Sequence, residues 1–200
     1  IRLNINEWGL DLPESRQYSM EAALYGARLL NVFERSSPLV AMSAESDLVN
    51  GWPGGIVQAS RDGLFVSPLY YVNRLYNEHL GRERLKASVE GPTFDTSREG
   101  NGVPVLDAVA SRSADGSEIY LKLVNTAPTS AVAATIELRG VDVAPQAEWH
   151  VLTAPSLETR NGFATPDAIR PRRETIPAGR SVRVSLPAHS VSVIVLTVVR

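Results

Sequence analysis

The 200-residue chain has no cysteine, only three histidines and two methionines, and no excess of charge of either sign. Without cysteine there are no disulfides, no thiolate nucleophile and no cysteine-ligated zinc, although the compartment stays open. Twenty basic side chains against 22 acidic ones leave a net charge of −2 with no long basic run. That excludes a nucleic-acid partner held by phosphate contacts. The longest apolar run, residues 191–199, is interrupted by Ser192 and Thr197. It is about half of what a membrane span needs, so no membrane partner is expected. The opening Ile1-Arg2-Leu3-Asn4 has neither the charged nor the apolar region of a signal peptide, so cytoplasmic and secreted locations are both open. It also starts in strand-like sequence without methionine, which leads us to expect that an N-terminal part of a larger protein precedes it.

What is present is the make-up of a globular chain, 44% hydrophobic and 21% charged. Ile1, Leu3 and Ile5 alternate with polar residues, a strand pattern that stops at Glu7-Trp8-Gly9. After a loop with Pro13, Ser19 can cap a helix in which Ala23, Leu24, Ala27, Leu30 and Phe33 recur at helical spacing, closed by Pro38. Leu39-Val40-Ala41-Met42 reads as a buried strand, followed by a long loop through Trp52-Pro53-Gly54-Gly55. Ser67-Pro68 starts a second helix with Leu69, Val72, Leu75, Tyr76 and Leu80, and Gly81 is placed for a C-terminal cap. Strand, helix, strand, helix is a β/α pattern. Beyond Gly81 the period changes to two. Short strands are expected at residues 85–89, 105–111, 118–124, 132–138, 149–152, 180–186 and 191–199, with Asp115-Gly116 as a hairpin turn and residues 156–173 as a long loop.

Glu7 is the outstanding chemical candidate, at the C-terminal end of a parallel strand, where α/β barrels place catalytic groups. The residue alone leaves open a glycosidase nucleophile, a general acid, a metal ligand or an ion-pair partner. Trp8 can line a sugar site or pack. His79, His150 and His189 match no zinc spacing, so neither a site of histidines nor a metal is expected. No Gly-x-Ser-x-Gly elbow and no phosphate loop occur, which leaves serine hydrolysis and nucleotide cofactors unsupported.

Several segments together resemble one family. Ile5-Asn6-Glu7-Trp8-Gly9 resembles the strand-end Glu-Trp segment of the α-L-arabinofuranosidases of glycoside hydrolase family 51, and residues 22–33 resemble the helix after it. Residues 40–50, ending Leu48-Val49-Asn50, are similar to the last barrel strand and its loop, and Ser67-Pro68-Leu69-Tyr70-Tyr71-Val72 to the last barrel helix. Val124-Asn125, residues 152–157 with Asn161, and residues 186–191 are similar to the C-terminal sandwich. The resemblance implies a fragment of an α/β barrel, its last two β/α units over residues 1–83, followed by an all-β antiparallel, jelly-roll-like sandwich over residues 84–200. It implies a retaining hydrolase that releases terminal arabinofuranosyl groups from arabinose-containing glycans, with Glu7 as nucleophile and no cofactor. Asn6, Trp8, Asn50 and Trp52 would contact substrate.

Only one more strand and two helices follow Glu7 before the sandwich, which puts it on strand seven, not on strand four where the acid/base sits in this clan. No acid/base motif occurs in the chain. The expected partners are therefore the remaining N-terminal part of the enzyme and a second copy in a homo-oligomer. Two features depart from the family: Gly9-Leu10-Asp11 replaces the segment that carries a second tryptophan, and Ser67 stands near where some members have Gln. The alternatives are a non-catalytic β-sandwich module and a β-glycanase of the same clan.

Overall fold

A computed structural model of the chain describes residues 1–46, 48–51 and 55–199. The elements in order are β1 (Leu3–Trp8), α1 (Glu14–Gln17), α2 (Met20–Arg35), β2 (Val40–Glu45), β3 (Val57–Ser60), β4 (Gly63–Val66) and α3 (Pro68–Glu78). Then follow β5 (Glu83–Leu85), β6 (Thr93–Thr96), β7 (Gly100–Pro104), β8 (Leu106–Arg112), β9 (Glu118–Asn125), β10 (Val132–Glu137), β11 (Val143–Leu152), β12 (Arg172–Pro177), β13 (Ser181–Leu186) and β14 (Ser190–Val198).

The molecule is mostly β. A six-stranded antiparallel sheet runs β12-β11-β14-β9-β8-β5. One of its faces packs on the β10–β13 pair through Ile119, Leu121, Trp149, Val151, Ile194 and Leu196 against Val182, Val184 and Leu186. The other face packs on α2 and α3, with Val191, Val193 and Val195 meeting Ala23, Ala27, Val72 and Leu75 in one core. Because both faces are covered, β9 and β14 are buried along nearly their whole length instead of at alternate residues. Behind the helices lies a separate parallel pair, β1–β2, with Trp8 opposite Glu45.

The two long helices form where the sequence places them, but their ends are held differently. Ser67 caps α3 as expected, its Oγ accepting from Tyr70 N–H at 3.3 Å. Ser19 instead donates its hydroxyl to Arg16 O at 2.7 Å. The first N–H groups of α2 go to a distant segment, Met20 to Thr159 O at 2.9 Å and Glu21 to Leu157 O at 3.0 Å. The stretch expected to be a featureless loop therefore caps a helix more than a hundred residues upstream, and buried Asn161 pins it by bonding Val66 O and both backbone groups of Ile169. Its end, from Arg172, is strand β12.

Gly81 is also corrected. It does not provide a left-handed cap; a Cβ there would lie 2.3 Å from Ser111 Cβ, so glycine is needed for the chain to pass against β8. Gly26 likewise lets the helices approach, since a Cβ would lie 2.2 Å from Leu69 Cδ1. The hairpin β3–β4 forms in the stretch expected as a loop, β6–β7 is a further hairpin, and the strand expected at 85–89 shares only Leu85 with β5.

Candidate active site

Glu7 is the penultimate residue of β1, and β2 runs parallel beside it, so both strands end on the same side of this small sheet. The Glu7 side chain is exposed, and Ser46, the first residue after β2, donates its Oγ–H to Glu7 Oε1 at 2.7 Å. Ser46 N–H also bonds Trp8 O at 2.8 Å, which fixes the seryl group relative to the strand that carries the carboxylate. A register irregularity between Ile5 and Trp8 breaks the alternation, so Trp8 joins Ile5 on the core side and Glu7 is left exposed. Accordingly Trp8 is 7% exposed and stacks edge-on against Phe33, with ring centroids 6.1 Å apart. In this chain the Trp8 ring lies inside the core under α2. Its indole Nε1 has no hydrogen-bond partner among the described residues.

A second carboxyl ends the neighbouring strand. Glu45, the last residue of β2, is half-buried and accepts from Asn73 Nδ2 of α3 at 2.5 Å. Burial lifts its pKa to about 8, the hydrogen bond from Asn73 opposing only part of the effect. At neutral pH Glu45 is thus largely protonated on the helix side of the pair, while Glu7 is exposed. Residue spacing could have flagged Glu45 only as a polar residue ending an apolar strand.

The other expected substrate contacts are placed as follows. Asn6 is exposed on β1. Asn50 has a left-handed backbone, φ 49°, and spends its amide on the chain itself: Nδ2 donates to Ala59 O at 2.8 Å and Oδ1 accepts from Ala59 N–H at 2.7 Å. It holds the loop to the β3–β4 hairpin, so its side chain is committed to structure. Trp52 lies outside the described residues.

The histidines are not scattered as expected. His189 is fixed by Pro128 O and Ala154 O. His79 and His150, however, meet between α3 and β11, with ring centroids 4.9 Å apart. The same helix–sheet seam holds Lys122, whose side chain is fully buried in contact with Glu34 and whose ammonium sits 4.7 Å from the Tyr76 ring centroid. Burial pulls the Lys122 pKa down to about 7. Tyr76 Oη donates to Asn31, Asn31 to Asp107, and Arg35 pairs with Asp107 at 2.6 Å.

Among solved structures, the fold matches an α-L-arabinofuranosidase from Thermotoga maritima in complex with arabinose, at 25% identity and a TM-score of 0.87. A GH51 arabinofuranosidase from Xanthomonas axonopodis pv. citri matches at 25% and 0.85. One from Thermotoga petrophila matches at 24% and 0.86. Each match covers 98% of this chain but only 43%, 41% and 43% of the three relatives, so the chain spans less than half their length. No curated protein matches it. The family described as the α-L-arabinofuranosidase C-terminal domain matches residues 6–190, nearly the whole sequence, and the chain belongs to that family.

Proposed function

We propose that these residues are the C-terminal part of a retaining α-L-arabinofuranosidase, with residues 1–83 completing a (β/α)₈ barrel and residues 84–200 forming its sandwich. Glu7 is the nucleophile. The observation that carries the assignment is its exposed carboxylate at the C-terminal end of a parallel strand, held by Ser46 and flanked by the end of the next strand. The barrel reading is supported by what β1 and β2 leave uncovered. Two strands are too few to be stable alone, and Leu3, Leu39 and Met42 are about half exposed.

Mechanism follows from carboxylate chemistry. Glu7 attacks the anomeric carbon as an anion, the leaving oxygen takes a proton from a second carboxyl about 5–5.5 Å away, and water then releases the sugar from the glycosyl-enzyme. The second carboxyl belongs to the part of the enzyme outside these residues. Glu45 stays on the support side, since it is tied to Asn73 of α3. The test is Glu7→Ala in the whole enzyme, assayed on p-nitrophenyl arabinofuranoside with and without azide. A loss partly rescued by azide supports the nucleophile, and full activity removes it. Hydrolysis of polymeric glucan in place of the arabinoside would favour the β-glycanase reading. Inactivity of the whole enzyme on both would favour the binding module.

A further inference from the structure

The seam where the end of α3 meets β11 gathers a donor set whose members are far apart in sequence. Glu148 and His150 are two residues apart on β11 and share the sheet face turned to the helices. His79 is the residue that ends α3. One ligand atom from each of the three lies within 4.8 Å of the other two.

The surroundings orient the donors as metal sites do. His79 Nδ1–H donates to Leu75 O at 2.8 Å, which fixes the tautomer and leaves Nε2 with its lone pair. His150 Nε2 is buried, lies 2.5 Å from Glu148 Oε1 and makes no well-formed hydrogen bond. The other Glu148 oxygen contacts Arg173 of β12, so the carboxylate is held from outside while one oxygen faces the imidazoles. The Tyr120 ring packs edge-on against His79 at 5.5 Å and shields it.

We propose that His79, Glu148 and His150 form a zinc site that clamps the C-terminus of α3 to β11. Two imidazoles and one carboxylate are a set that zinc accepts, with a fourth position left for water. Bond lengths of about 2.0–2.2 Å put tetrahedral ligand atoms about 3.3 Å apart, so the three side chains need to shift by only about an ångström. The site is distinct from the Glu7 region and does not depend on the proposed activity.

The test uses the protein stripped with a chelator and titrated with zinc ion against a chromophoric indicator, with melting followed in parallel. One equivalent should bind, and the melting temperature should rise with zinc. His79→Ala and His150→Ala should each weaken binding at least about tenfold and abolish the rise. Glu148→Gln keeps shape and hydrogen bonding, so it serves if His150→Ala does not fold, and it should show the same loss. Cobalt(II) should give the visible absorption of a four-coordinate site in the parent protein and not in the variants. Absence of stoichiometric binding, or equal zinc affinity in parent and variants, overturns the site.

Discussion

The six-stranded sheet and the β1–β2 pair are built from similar apolar residues and end up in opposite conditions. In the six-stranded sheet, β14 is buried from Ser190 to Leu196 because helices cover one face and the β10–β13 pair covers the other. In the β1–β2 pair, Leu3 and Met42 are exposed to 44% and 52%, since α2 covers one face and little meets the other. The six-stranded sheet is covered on both faces, on one of them by α2 and α3. The parallel pair has a carboxylate-bearing edge and an uncovered surface, which suits a piece of a larger barrel. On the proposed function, the chemistry falls in the region that is covered least.

The largest test of that division is at Glu7. In the whole enzyme Glu7→Ala should lower kcat on the order of 10³-fold or more, the scale of losing a reacting group, while melting stays within about 1 °C because the side chain is exposed. Equal losses in activity and stability would erase the contrast. On the helix–sheet seam, Lys122→Ala should cost about 3–5 kcal/mol, since it leaves the Glu34 carboxylate buried without its partner. The double change Lys122→Met with Glu34→Leu should recover most of it in urea unfolding. A double variant no better than the single one would show that the pair itself holds the seam.

Smaller effects separate the two sheets directly. Leu196→Ala, in the closed core between the sheets, should cost about 2–5 kcal/mol. Met42→Ser should stay within about 0.5 kcal/mol in this 200-residue chain. In the whole enzyme the cost of Met42→Ser should rise if a barrel covers that face, and an unchanged cost would argue against the barrel. A further effect, read against pH, is expected at Glu45. Its folded pKa is raised from 4.5 to about 8, so the folded state binds the extra proton between those values. The stability this confers is complete below about pH 4.5 and is lost as pH rises through about 8. Glu45→Gln should flatten the melting temperature against pH and exceed the parent at pH 8. An unchanged slope would contradict the buried, protonated carboxyl.

Much of this was legible beforehand. Helical spacing located α2 and α3, and alternation with Gly and Asn turns located β8, β9, β10, β13 and β14. Gly116, at φ 74°, turns β8 into β9 where the Asp-Gly signal stands, and hydroxyls of Ser113 and Ser117 hold Asp115 down to about 2. Glu7 ends a parallel strand as read. The hairpins β3–β4 and β6–β7 were not legible because their strands are short and polar. Lys122 was misleading in another way: alternation turns it away from the Leu121 and Leu123 core, and only α2 and α3 make that second face an interior.

Local pattern by itself determined where the two long helices and most strands of the six-stranded sheet lie, and that Glu7 ends a strand. Those properties rest on neighbours one to four residues apart, so they are written in the order of the chain. Tertiary structure decided what covers each face and what meets across the seam. It put Thr159 on the first turn of α2, Asn73 on Glu45 and His79 beside His150. The physical reason is that burial and hydrogen-bond satisfaction are settled by groups distant in sequence, and they exist only once the layers pack.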